Sequence, residues 1–539
     1  MSQLIRVNQT GYSPDLPQYV TVLSDTPVIL TDDKGVVLHR FEGVELKPDA
    51  ASGENVALLE LGLSAPGTYC LEAAGQKQRV TVQKEPWRAV TNALIKGLFF
   101  QRCGCELKKE FAGAYAHRAC HTALAVDWDD NSVSCRITGG WHDAGDYGKY
   151  TGPGAVTVGH LLYAWKLFGP GCSDELNIPE SGNGVPDILN EARYELEWLL
   201  QMQGNDGAFH HKLSKARFAP FIMPENDHET EYLMPVSHCA TADACACLAL
   251  ASRVYREVDR SFANRMLLAA LRAWEWLQKH PDFVPFRNPE GVSTGWYGDR
   301  SDTDERFWAA CELFAATHEE RFRQDAEVLF KSGQNLTRFG WSDVGGMGAL
   351  CCLFDLKEEA GSVLYDRMKA DFVNQSREAL RLSQNSGYGT ALAPERYVWG
   401  SILPILSNAM AMILCCLLTG QEEMRDAALM QWHYALGMNA LDKCFVTGFG
   451  EYRVLHPHHR PSGSDGIDEP VPGLISGGPN KCFPYPSTRQ KLGEDVPPAK
   501  YYLDETPSAD TNEIAIYWNS PAVFIGAYFN MLTQTISGR

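Results

Sequence analysis

At 539 residues, with 45% hydrophobic and 21% charged residues and no long low-complexity tract, the chain has the composition of a folded globular protein. It exceeds what one hydrophobic core usually supports, so a small domain beside a large one is expected. Forty-eight basic against 67 acidic residues leave a net charge of -19, which argues against nucleic acid and anionic membrane as partners, because both repel an acidic surface.

The N-terminus has no basic segment followed by an apolar core and a small-residue cleavage site, so no signal peptide is visible and a cytoplasmic location is expected. The 16 cysteines, several clustered as in Cys103/Cys105, Cys245/Cys247, Cys351/Cys352 and Cys415/Cys416, fit buried reduced thiols better than a disulfide framework. From Ile5 to about Val82, Gly, Pro and Asp punctuate the short β-rich runs Tyr19 to Leu23, Val28 to Leu30, Val56 to Leu61, Thr68 to Leu71 and Val80 to Val82. This spacing predicts an immunoglobulin-like β-sandwich over residues 1–85, and Glu85 to Thr91 reads as a linker or first helical approach.

Residues 86–539 read as a nearly all-α body. Ile188 to Gln203 carries Leu189, Ala192, Leu196, Leu199 and Leu200 at helical spacing, and Gly204 to Gly207 supplies a stop. Similar stretches follow at Thr241 to Val258, Arg260 to Lys279, Asp304 to Thr317, Gln324 to Ser332, Ser407 to Thr419 and Met424 to Leu436. The longest apolar run, around Ala409 to Leu418, is too short to cross a bilayer and reads as a buried helix. So many paired helices are compatible with a closed double ring, although periodicity alone does not show closure. The long irregular stretch from Gly437 to about Ser508 is rich in His and aromatic residues, which points to function.

Three motifs carry chemistry. GGWHDAGDYGKY, from Gly139 to Tyr150, sets Asp143 and Asp146 between glycines and aromatics. Inverting cleavage of a glycosidic bond needs one carboxylate to deprotonate water and a protonated carboxyl on the opposite face of the sugar to protonate the leaving oxygen. A bare DxxD is also a common turn or N-cap cluster. HPHHR places His458 and Arg460 in the long loop, and DTNEIAIYWN, from Asp510 to Asn519, carries Glu513 near the C-terminus. Cys103, Cys120, His121 and His142 offer two thiolates and two imidazoles, a set suited to tetrahedral zinc, although spacing alone leaves coincidence open.

These motifs together resemble glycoside hydrolase family 9, the cellulase family with a DAGD loop and a C-terminal NE motif. The opening IRVNQTGYSPDLPQYV and the segments IPESGNGVPDILNEARYELEWLLQMQ, SDTDERFWAACELFAATHEE, FVTGFGEYRVLHPHHRPS and VPGLISGGPN are similar to family segments in the same order. The resemblance implies an N-terminal immunoglobulin-like β-sandwich followed by an all-α (α/α)6 barrel. It implies Asp146 as general base, Asp143 as its partner in holding water, and Glu513 as general acid. His458 and Arg460 would bond sugar hydroxyls and orient the acid, while Trp518, Trp399, Tyr147 and Trp341 are candidate aromatic contacts for sugar faces. Cys103, Cys120, His121 and His142 correspond to a structural zinc site, and Asp302, Asp304 and Glu305 to a region where many members hold calcium. The acidic trio also suits a helix N-terminus with no ion. Asn190 stands where members often carry Asp, and Ile402 where a WGSN pattern has Asn, which puts a typical cellulase contact in doubt.

An oligosaccharide is therefore the expected partner. The missing export signal, the acidic charge and the similarity to signal-less members lead to the expectation of exo-β-glucosaminidase action on chitosan- or chitin-derived oligosaccharides. One end of the cleft would be blocked, by loops around Glu225 to Tyr232 or Ile467 to Pro472. The alternatives are an endo-1,4-β-glucanase or cellodextrinase, a sugar-binding protein without chemistry, and a metal-dependent hydrolase. A four-ligand zinc leaves no open position for the last of these.

Overall fold

The computed structural model describes residues 3–537. Eight strands build the N-terminal unit: β1 (Ile5–Arg6), β2 (Tyr19–Val22), β3 (Val28–Thr31), β4 (Val37–Phe41), β5 (Lys47–Asp49), β6 (Glu54–Glu60), β7 (Gly67–Ala73) and β8 (Gln76–Val82). They form two antiparallel sheets, ordered β1-β2-β6-β5 and β4-β3-β7-β8. Alternating side chains of the two sheets, among them Val20, Val22, Val28, Leu30, Leu71, Val80 and Val82, fill a core of their own. The expected strands are present. Those without a sequence signal are β1, which is two residues long, β5, which contains Pro48, and β4, whose side chains are almost all exposed and so show no alternation.

The rest is helical. Among the described residues eleven helices reach at least twelve residues, and a shorter one, Gly345–Leu350, runs on into the π-helical turn Cys351–Leu356. In chain order they are α1 (Arg88–Phe100), α2 (Thr151–Phe168), α3 (Asp187–Gln201), α4 (His238–Val254), α5 (Arg260–Lys279), α6 (Thr303–Thr317), α7 (Glu320–Lys331), α8 (Gly345–Leu350), α9 (Met368–Asn385), α10 (Ile402–Thr419), α11 (Glu422–Ala435) and α12 (Ile516–Ser537). Even-numbered helices form the inner ring and odd-numbered ones flank it, as the pairs α4/α5, α6/α7 and α10/α11 show. The last helix packs against α1, α2 and α10, which brings the end of the chain back to the start of the helical body. This is the (α/α) barrel expected from the family resemblance.

Inner and outer helices differ for a physical reason. In α2, 14 of 18 residues are buried, so apolar residues surround it and no amphipathic stripe exists to read. The most apolar helix, α10, likewise lies inside the ring, packed on α11 and α12. The sandwich docks on the barrel through polar contacts: Asn8 meets His433 at 2.9 Å, Gln9 N donates to Leu436 O at 2.9 Å, and Asp49 accepts from Ser386 and Gly387 at 3.0 Å.

Candidate active site

A cavity of about 800 Å³ opens at the end of the barrel where the inner helices begin. Tyr150 precedes α2, Tyr297 precedes α6, Trp341 and Asp343 precede α8, Trp399 precedes α10, and Glu513 precedes α12, and all of them line it. A ring of helix N-termini is a favourable place for carboxylates, because each contributes partial positive charge.

Asp143, Asp146, His458, Arg460 and Glu513 share this cavity although they come from three distant segments. Backbone bonds zip the segments together. Ile516 N donates to Asp143 O at 2.8 Å, His458 N to Asn512 O at 2.8 Å, and Gly477 N to Glu513 O at 2.8 Å. Arg460 holds Gly145 O twice, through its backbone N at 3.0 Å and Nη1 at 2.8 Å, while its Nε donates to Ala219 O at 2.8 Å. The arginine therefore braces the DAGD loop; it makes no direct hydrogen bond to Glu513 but lines the same cavity and acts on that carboxyl by its charge. His458 spends its Nδ1 on Thr506 O at 2.6 Å.

Glycine is required within the loop. A Cβ on Gly145 would lie 2.0 Å from His458 O, and one on Gly140, at φ +74°, would lie 2.6 Å from Trp198 Cγ. Gly145→Ala is accordingly expected to abolish activity without removing any functional group, because it forces the DAGD and HPHHR segments apart. Turnover and melting temperature should fall together, and normal turnover would disprove the packing argument.

The three carboxyls differ in environment. Burial pushes Glu513 well above the usual range, and the neighbouring Asp146 and Asp143 push it further, against smaller opposing effects of Arg460 and of Trp399, whose Nε1 donates to Oε2 at 3.2 Å. Burial also raises Asp146, but Arg460 and the Gly148 N–H, 3.0 Å from Oδ2, favour its charged form. Asp143 is raised by burial, against the Tyr297 hydroxyl, which donates to its Oδ2 at 2.5 Å.

Trp518, Trp399 and Trp341 line the cavity as expected; Trp399 is 38% exposed and free to meet a sugar face. Tyr147 does not line it. Its ring packs on His121 and His142 and its hydroxyl donates to Ile222 O at 2.5 Å, so it belongs to the metal cluster's wall. Asn190 and Ile402 are not lining residues either. Asn190 bonds to Asn183 and to Val185 O, and Ile402 N bonds to Gly477 O, so neither departure from the family pattern bears on sugar contact. The loops 225–232 and 467–472 contribute no residue to the lining of this cavity. Nothing in the sequence patterns singled out Tyr297, Tyr517 or Phe218; the aromatic cluster in STGWYGD was the available signal for Tyr297.

The four expected metal ligands converge. Cys103 Sγ, Cys120 Sγ and one ring nitrogen each of His121 and His142 lie within 4.8 Å of one another, and all four residues are buried. Cys103 Sγ is 3.6 Å from His121 Nδ1, which is 3.4 Å from His142 Nε2. Ligands at tetrahedral zinc distances lie roughly 3.6 Å (S to N) and roughly 3.3 Å (N to N) apart, so the set fits that ion. Around it, Lys149 donates to Cys103 Sγ at 3.2 Å and Asp227 faces His121 Nε2 at 3.4 Å. The acidic trio behaves differently. Asp302 pairs with Arg306 at 2.7 Å, Asp304 accepts from Val344 N at 2.8 Å, and Glu305 is buried with both oxygens unbonded. Among the described residues the three side chains do not by themselves form a convergent donor set, although Asp304, Asp243 and Asp299 all lie near Glu305.

A cavity that sets paired carboxyls among aromatic platforms at the mouth of an (α/α) barrel defines a glycoside hydrolase. Residues 87–526 match glycosyl hydrolase family 9 and residues 1–78 match the cellulase N-terminal ig-like domain. The chain belongs to family 9. It is 34% identical to a cellodextrinase of Butyrivibrio fibrisolvens, over 96% of this chain and 98% of that one, and 31% identical to endoglucanase D of Acetivibrio thermocellus, over 97% and 83%. A solved structure of a single-mutant thermostable endoglucanase from Alicyclobacillus acidocaldarius superposes with a TM-score of 0.92 at 33% identity, covering 98% of this chain and 100% of that one. These relatives are named for cellodextrin and glucan cleavage, which overturns the expectation of an exo-β-glucosaminidase on amino sugars.

Proposed function

We propose that the chain is an inverting hydrolase of β-1,4-linked glucans and cello-oligosaccharides. Glu513 is the general acid, Asp146 the general base, and Asp143 shares the attacking water. One observation carries the reading: Glu513 and the Asp143/Asp146 pair line a single cavity, where burial raises all three carboxyls but Arg460 and the Gly148 N–H work against that rise at Asp146. Glu513, buried beside two other carboxyls, holds its proton for the leaving oxygen, whereas Arg460 and the Gly148 N–H favour Asp146 as the charged base. The cellodextrinase and endoglucanase relatives support the sugar and the linkage. Zinc, bound by Cys103, Cys120, His121 and His142, would fix the loop that carries Asp143 and take no part in the reaction.

Following cellohexaose hydrolysis by proton NMR tests the reading. The first product signal should be the α-anomer at the new reducing end, and initial β-anomer would disprove inversion. The drop in viscosity per bond cleaved in a soluble glucan separates endo cleavage from cellodextrinase action.

Tyr297→Phe gives a pH test. The tyrosine hydroxyl stabilises ionised Asp143, so its loss raises the Asp143 pKa further, and the acidic limb of kcat/KM should move to higher pH. An unmoved limb would show that Asp143 need not ionise.

A further inference from the structure

Two arginines in the catalytic cavity have no assigned work. Arg338, just before Trp341, and Arg396, just before Trp399, both line it. Arg460, the third lining arginine, is committed to two carbonyl oxygens. Neither Arg338 nor Arg396, by contrast, makes a side-chain hydrogen bond or an ion pair with any described residue; Arg338 is half-buried and Arg396 is exposed at the cavity's edge. Burial and the Arg396 charge both weigh against the charged form of Arg338. Asp343 lies near enough to favour it, but no ion pair forms, and burial and Asp304 push the Asp343 carboxyl up to about 7. Two adjacent guanidinium groups facing a cavity, with one incompletely ionised carboxyl nearby, leave positive charge that an anion would satisfy. The protein is otherwise acidic overall, with a net charge of -19, so this local excess is not a by-product of a basic surface.

We propose that Arg338 and Arg396 form an anion-binding subsite of the cavity, so that the enzyme takes β-1,4-linked gluco-oligosaccharides carrying a carboxylate or a phosphate ester on one sugar unit. The inference rests on the glucan-hydrolase reading and narrows its substrate class. The planar donor fork of arginine matches both anions, which present two oxygens at the spacing of two N–H groups. Trp341 and Trp399, beside the two arginines in sequence and in the cavity wall, would carry the apolar faces of the ring that bears the charge.

The test compares kcat/KM on cellotriose with two charged analogues, one with a glucuronate unit and one with a 6-phosphoglucose unit. At low salt at least one analogue should be preferred about tenfold, the preference should shrink as salt is added, and the double variant Arg338→Gln/Arg396→Gln should lose it. The analogue preferred tells which anion the site was built for. Equal or lower efficiency on both analogues, or a preference that survives in the double variant, overturns the proposal while leaving cellotriose cleavage as support for the glucan reading. Should no substrate be cleaved, the glucan reading fails separately. Calorimetry in a Glu513→Gln background then decides the subsite: the charged trisaccharides must bind more tightly than cellotriose, and only while both arginines are present.

Discussion

Glu513→Gln is expected to lower kcat on cello-oligosaccharides by about two to four orders of magnitude, the range that a positioned general acid contributes. Glutamine keeps the size of the side chain and an oxygen for the Trp399 indole N–H, so cello-oligosaccharide binding should persist. It cannot supply a proton to the departing sugar oxygen. A glycoside whose leaving group needs no protonation, such as a dinitrophenyl cellobioside, should therefore lose far less rate than cellotetraose. Equal losses on both would mean that Glu513 serves some other role. The pH dependence follows from the same environment. The folded-state pKa of Glu513 is raised, so its favourable contribution is present at low pH and is lost as pH rises through that folded value, where a buried charge must form beside Asp146 and Asp143. Glutamine has no such transition. The melting temperature of Glu513→Gln relative to the unsubstituted protein should rise with pH, and the basic limb of the pH profile on the activated glycoside should disappear.

Much of this site was legible because its chemistry is packed into short motifs. DAGD, HPHHR and the NE of DTNEIAIYWN each hold reacting groups within a few residues, and backbone bonds then join the segments. What the sequence concealed follows from burial and distance. The inner helix α2 gave no period because it is apolar on nearly every side, and strand β4 gave none because it is exposed along its length. Arg460 looked like a ligand for sugar or for the acid, yet its partners are the carbonyls of Gly145 and Ala219, which only the folded path brings within reach. Tyr147, one residue from Asp146, faces the other way into the metal cluster, since neighbours in an irregular loop need not share a direction. The substrate expectation erred for a different reason. It drew on charge, on the apparent start of the chain and on a resemblance to signal-less members, none of which describes the cavity, whereas the relatives matched over nearly the whole chain are a cellodextrinase and endoglucanases.

His142→Ala is the second change expected to have a large effect, although His142 touches no reacting atom. Its Nε2 belongs to the four-ligand cluster, its backbone N donates to Gln101 O at 2.8 Å, and the next residue is Asp143. The cluster joins three otherwise separate stretches: the turn after α1 through Cys103, the Cys120–His121 pair, where His121 takes the unusual φ of +48°, and the DAGD loop. A zinc ion bound there would supply folding free energy directly, and removing one ligand from such a closed site should then cost roughly 4 kcal/mol or more. The variant is expected to lose zinc, to melt at lower temperature, and to lose turnover because Asp143 and Asp146 are no longer held against Glu513. Cys105→Ala, two residues from Cys103 but outside the cluster, should retain metal, stability and rate. A strong chelator acting on the unsubstituted protein should reproduce all three losses, and added zinc should restore them together. Purified protein that carries no zinc, or one whose melting temperature ignores the chelator, would refute the site. Retained turnover after complete zinc removal would instead separate the metal from the loop and leave its positioning to Arg460, Gln101 and the backbone bond to Ile516.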